Sequence, residues 1–153
     1  MPRTKDAILR MMAKQNVAIV RRIYEAWNRR DFEHAFQSLD PDIEWHLPKG
    51  GINAGIYRGH RGVRQLIESY LEAFDYARME PERLFEKDDQ IVAFIHWHVR
   101  GKGSGVEVAV QPAHLWTMRD GKAVRVDVFP EREREKALEI VGVSEHDAHA
   151  DSS

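Results

Sequence analysis

The chain predicts an α+β fold, and three observations predict it. Apolar residues recur at spacings of three and four through much of the first half, the period changes to two after about residue 80, and two β-rich runs near the C-terminal end are joined by Asp120-Gly121. Helices followed by consecutive antiparallel strands are the signature of that class. At 153 residues, one domain with a substantial core is the simplest organisation.

The first helix is expected from about Asp6 to Arg29, where Ile8, Met11, Met12, Val17, Val20, Ile23, Tyr24 and Trp27 trace one face. Asp31 is an N-cap for a short second helix ending near Leu39, and Asp40-Pro41-Asp42 breaks it. Ile43 to Leu47 alternates as a short strand stopped by Pro48, and Lys49 to Gly55 is a glycine-bearing loop at the edge of any pocket. Gly59 to Phe74 carries Val63, Leu66, Ile67, Tyr70 and Leu71 as a further amphipathic helix. Strands are expected over Glu82–Lys87, Ile91–Arg100, Val106–Met118 and Ala123–Phe129, turning at Asp88-Asp89, Gly101 to Gly105 and Asp120-Gly121. Glu131 to Val141 closes as a charged helix capped by Gly142, and the last residues read as a polar, disordered tail.

Composition excludes several function classes. A formal net charge of −2 supplies no basic footprint for nucleic acid. With no cysteine there is no disulfide, thiolate nucleophile or Cys-ligated zinc. No apolar stretch approaches the roughly 18 residues of a membrane helix, and no signal-peptide core follows the N-terminus, so a cytoplasmic location is expected.

Chemistry concentrates at the Asp-Gly turn. A two-residue loop needs φ > 0 at both central positions, which this dipeptide tolerates. Taken straight, the register opposes Arg119 to Lys122, Trp116 to Arg125 and His114 to Asp127. Opposed residues share a face with Cβ atoms roughly 5 Å apart, so an imidazole meets a carboxylate and an indole meets a guanidinium. A histidine held by a carboxylate has a fixed tautomer and a raised pKa. In an apolar cavity such a pair can move a proton from a carbon beside a carbonyl to an oxygen. The blander reading is a polar cross-strand contact worth roughly 0.2–1 kcal/mol.

The order of elements, with Tyr24-Glu25-Ala26-Trp27-Asn28-Arg29-Arg30-Asp31-Phe32, Tyr57-Arg58-Gly59 and Trp116-Thr117-Met118-Arg119-Asp120-Gly121-Lys122, resembles the nuclear transport factor 2-like superfamily, and within it the SnoaL-like polyketide cyclase group. The resemblance covers roughly residues 15–142, leaving 1–14 as an N-terminal helical extension and 143–153 as the tail. It implies a cone: a curved mixed or antiparallel sheet of the cystatin-like roll type, wrapped on the N-terminal helices around an apolar pocket, and frequently a homodimer through the sheet's outer face. Ketosteroid isomerases of this superfamily carry a tyrosine and an aspartate where a gapless comparison puts Ile23 and Leu47. The middle-strand arginine and aspartate of epoxide-hydrolase members fall at about Ile95 and Trp97. For the SnoaL-like cyclases the resemblance implies His114 and Asp127 as acid/base residues. It thus implies cofactor-independent aldol cyclisation or isomerisation of an apolar or aromatic carbonyl compound. The alternative is a ligand-binding or dimerising module of the same fold without chemistry.

Trp45, Leu47, Trp97, Trp116, Arg125 and Ile23 are the expected pocket residues, although core packing accounts for aromatic residues equally well. The other face of the hairpin presents Ala113, Leu115 and Val126, so both faces need a cover, and a second subunit is the expected one. His96 and His98 share a strand face, but with no third ligand nearby no metal is expected.

Overall fold

The structure is a computed structural model that describes residues 4–51 and 53–149. Its elements are helices α1 (Thr4–Asn28), α2 (Phe32–Phe36), α3 (Gly59–Ala73) and α4 (Arg134–Val141), with strands β1 (Leu39–Leu47), β2 (Gly55–Arg58), β3 (Phe74–Lys87), β4 (Gln90–Gly101), β5 (Glu107–Val110), β6 (Ala113–Arg119), β7 (Lys122–Phe129) and β8 (Ala148–His149). The sheet runs β2-β1-β7-β6-β4-β3-β8, with β5 also paired to β4. Among the described residues β1 and β7 are the one parallel pair, so the sheet is mixed and unclosed, and α+β is the observed class.

Helix α1 is long because no glycine or proline interrupts it, and Val17, Val20, Tyr24 and Trp27 give it one buried stripe. Asn28 ties its end to β3: the side-chain amide donates to Met79 O at 2.8 Å and accepts from Met79 N at 2.9 Å. The first turns of α1 run outward from the core, leaving Ile8, Leu9, Met11 and Met12 about half exposed or more. Asp31 caps α2 as expected, accepting from His34 N. On α3, Val63, Leu66 and Ile67 are buried, and a Cβ on Gly62 would lie 2.9 Å from the Tyr57 carbonyl carbon, a distance only glycine accommodates.

Several strands differ from expectation. Asp40-Pro41-Asp42 lies inside β1, where the pairing with β7 shifts between Leu39 and Glu44. Strand β3 begins at Phe74, eight residues before the expected start, and Pro81 sits at a register shift where its missing N–H disrupts no regular ladder. Gln111-Pro112 divides one expected strand into β5 and β6, while Ile95 N still donates to Pro112 O at 2.9 Å. Past Val143 the chain makes a 3-10 turn at Glu145–Asp147 and pairs Ala148 with Phe85; residues 150–153 lie outside the described residues, as does Ile52 of the expected loop.

Two apolar clusters hold these layers. The larger joins α1 and α3 to the concave face through residues such as Val20, Ile23, Leu66, Ile95 and Trp116. The smaller packs Ala137, Leu138 and Val141 of α4 against Phe85, Val92, Phe94, Ala113 and Leu115 on the outer face. Burying one such Leu, Ile or Phe side chain is worth roughly 1.5–3 kcal/mol. The helix turns off at Gly142 (φ 82), whose N–H donates to Leu138 O. The outer face of β6, which sequence patterning assigns to a second subunit, is thus covered by the chain's own C-terminal helix.

Candidate functional site

The Asp-Gly turn forms as its chemistry dictates, with φ of 52° at Asp120 and 76° at Gly121, and Arg119 opposes Lys122. One residue later the straight register fails. Met118 opposes Ala123 but Thr117 opposes Arg125, so Val124 is a bulge. His114 therefore opposes Val128, and Asp127 opposes Leu115 on the outer face. The expected His114–Asp127 and Trp116–Arg125 pairings are both overturned. The physical reason lies in what the straight register buries: Arg125 and Asp127 would enter the core under α1, at a penalty of several kcal/mol per ion. The bulge instead sends Ala123, Val126 and Val128 inward, while Arg125 and Asp127 bond each other outside at 2.9 and 3.0 Å.

His114 keeps its inward position at 4% exposure, but its partner is a phenol. Trp116 Nε1–H donates to Tyr24 Oη at 2.8 Å, and Tyr24 Oη lies 2.7 Å from His114 Nδ1. Tyr24 has one hydrogen and, among the described residues, no other acceptor, so its O–H donates to Nδ1 and the proton of neutral His114 sits on Nε2. Burial, with no carboxylate to offset it, lowers the His114 pKa to about 4, opposite to the rise expected for a carboxylate-held histidine. Burial likewise raises Tyr24 well above its ordinary value, so the phenol stays protonated. Trp45 meets His114 and Trp116 edge-on and stacks on Trp27 at 5.1 Å.

Beside this network lies a cavity of about 160 Å³ walled by Trp27, Trp45, Leu47, Trp97, His114 and Val128, with Val110 and Pro112 at one side. A second hollow of about 50 Å³ shares Trp27, Tyr70, Met79 and Trp97 with it and reaches Asn28, Arg30 and Phe32. Among the described residues no Asp or Glu lines either space. Trp45, Leu47, Trp97 and His114 line the cavity as expected; Ile23 and Trp116 are core residues behind it, at 1% and 0% exposure, and Arg125 lies outside. The buried Trp27 Nε1 has no hydrogen-bond partner. Among the described residues no cluster of three or more metal-ligand side chains occurs; His96 faces Glu82 at 3.5 Å and His98 faces Glu107 at 3.6 Å.

A helix-backed, unclosed sheet with an apolar hollow on its concave face can be compared with known proteins. The family model described as SnoaL-like domain matches residues 20–126, most of the chain. The chain belongs to the SnoaL-like family. Among solved structures, this SnoaL-like protein is similar to TerC co-crystallised with polyporic acid: 27% identity, TM-score 0.70, covering 82% of this chain and 98% of that one. It is similar to an NTF2-like protein of unknown function from Burkholderia pseudomallei at 25% identity and TM-score 0.71, covering 83% and 97%. It also shares its fold with a protein from Jannaschia sp. CCS1 described as a SnoaL-like polyketide cyclase, at 18% identity and TM-score 0.69, covering 84% and 92%. No curated protein matches it.

Sequence reasoning did not single out Tyr24, whose hydroxyl bonds His114, nor Trp27 and Arg30, which line the hollows. The signal for the first two was present, because Tyr24 and Trp27 occupy the same α1 stripe as Val17 and Val20, yet a buried stripe reads as core. Ile23, where the ketosteroid-isomerase tyrosine falls in a gapless comparison, lies one residue before Tyr24, whose phenol bonds His114.

Proposed function

We propose that this SnoaL-like protein binds an apolar or aromatic carbonyl compound in its concave cavity and polarises the carbonyl through His114. The observation that carries the reading is a neutral imidazole whose Nδ1 is occupied by Tyr24 and whose Nε2–H, without a protein acceptor among the described residues, belongs to a ring lining an apolar space. A 160 Å³ cavity is close to the engineered cavity of about 150 Å³ that holds benzene, which sets the scale of the enclosed part of the ligand at one ring. That TerC was crystallised with polyporic acid supports an oxygenated aromatic ligand class.

The hydrogen-bond order also supports a particular role for His114. Releasing its Nε2 proton would require Tyr24 to become a buried phenolate, which its raised pKa opposes. Accepting a proton at Nε2 would require Nδ1–H to face Tyr24 and leave the phenol hydrogen without an acceptor. His114 therefore acts as a fixed hydrogen-bond donor that stabilises negative charge growing on a carbonyl oxygen. Such a donor promotes loss of the α-proton to water, the step shared by enol isomerisation and aldol closure. Because no carboxylate lines the cavity, ligand binding without turnover is the second reading, and the same experiment separates the two.

The test compares acetophenone with α-methylstyrene, which has the same shape without the oxygen. The ketone is expected to bind roughly fivefold more tightly, the yield of one buried hydrogen bond, and His114→Leu should erase the difference. Equal affinities in the native protein would refute the assignment. Turnover predicts faster exchange of the ketone's methyl protons with deuterated water, read by NMR; solvent-rate exchange with binding intact assigns the binding module.

A cytoplasmic location is proposed alongside this reading; no helix of the described residues is long and apolar enough to cross a membrane. The reading also includes a homodimer through the part of the outer face that α4 leaves open, around Tyr76, His96 and His98. A molar mass by light scattering of one chain would remove the dimer.

A further inference from the structure

Arg30 stands out among the groups at the cavity rim. It follows α1 in the left-handed region, φ 62°, where its N–H donates to Trp27 O and the next residue's N–H donates to Ala26 O. Such a helix end ordinarily takes glycine, and a bulky residue there carries strain of order 1–3 kcal/mol. The two backbone bonds satisfy the last carbonyls of α1, and no side chain of the described residues pairs with the guanidinium. Arg30 has no ion pair among the described residues, whereas its neighbour Arg29 faces Asp31 at 3.7 Å, and Asp31 also caps α2. The strained arginine instead lines the smaller hollow, with Phe32, Tyr70 and Trp97.

We propose that the site selects organic anions: compounds with an aromatic body in the cavity and a carboxylate met at the rim by Arg30. The inference rests on the carbonyl-binding reading and adds a second recognition point to it. Three features combine. The two hollows share Trp27, Tyr70, Met79 and Trp97, which sets the hollow lined by Arg30 directly beside the cavity lined by His114. The lining holds no carboxylate that would repel an anion or satisfy the guanidinium. Among the described residues Arg30 is the one charged side chain in the two linings, so the charge offered to a ligand is positive and suited to an anion.

The experiment is a calorimetric titration of 3-benzoylpropionate against its methyl ester, which keep the aryl ketone and differ in charge. The acid should bind about fivefold more tightly at low salt, and the margin should shrink as ionic strength rises, as for a partly exposed ion pair. Arg30→Gln should bring the two affinities together while leaving the ester's unchanged. Arg30→Gly, which suits the backbone and safeguards folding, should do the same. Equal binding of acid and ester by the native protein, or equal weakening of both by the two variants, would overturn the anion site and leave the ketone site standing. Failure of both compounds to bind would remove the two together.

Discussion

Tyr24 stands between two buried ring nitrogens, taking a hydrogen from Trp116 and giving one to His114. Its hydroxyl decides which nitrogen of His114 faces the cavity, so the chemistry of the site is set one residue away from it. Replacing Tyr24 with Phe leaves Trp116 Nε1–H without an acceptor and Nδ1 without a donor. A loss of about 1–3 kcal/mol in urea denaturation is expected. The depressed His114 pKa gives a second prediction. A histidine titrating near 4 folded and near 6.5 unfolded binds its proton preferentially in the unfolded state between those values. Stability is therefore full above pH 6.5 and falls as pH drops toward 4, by roughly 3 kcal/mol from this residue alone. Denaturation midpoints measured at several pH values should show this slope, and His114→Gln should flatten it.

At the scale of elements, the hairpin shows what a sequence conveys and what it withholds. The turn was legible because Asp120-Gly121 is a local chemical requirement. Helices α1, α3 and α4 were legible because their buried stripes are local periodicities. The bulge at Val124 was not, because it answers a tertiary question: which face of β7 meets the core. Its trace in the sequence is a phase conflict. The face of β6 bearing His114 and Trp116 must meet apolar residues, yet the straight register offers it Arg125 and Asp127. Deleting Val124 should restore that register and destabilise the fold by several kcal/mol, the penalty for burying the ion pair, seen as loss of cooperative unfolding. Asp127→Asn, by contrast, should leave ligand affinity unchanged and alter stability by about 1 kcal/mol or less, since the Arg125 pair is an outer-face contact. A large loss of affinity would return Asp127 to the site.

For the whole molecule, the sheet is covered twice by one chain. Helices α1 and α3 close the concave side and α4 closes part of the outer side, so strands β4 and β6 are buried on both faces over much of their length. Sequence patterning detected the need for two covers and assigned the second to a partner subunit, because where α4 docks is set by tertiary packing and not by its own charged, weakly apolar pattern. Leu138→Ala should cost about 2–5 kcal/mol, the range for a buried leucine, and should speed amide exchange on the outer-face strands. A loss under 1 kcal/mol would mean that α4 docks only loosely.

The chain has four tryptophans, and each belongs to the cavity wall or to the layer directly behind it. Light absorbed by the protein is thus absorbed almost wholly around one hollow, with Trp27 and Trp45 close enough, at 5.1 Å, for their excited states to couple. An occupant reports its own arrival as quenched emission and an altered near-ultraviolet dichroism, without any label attached.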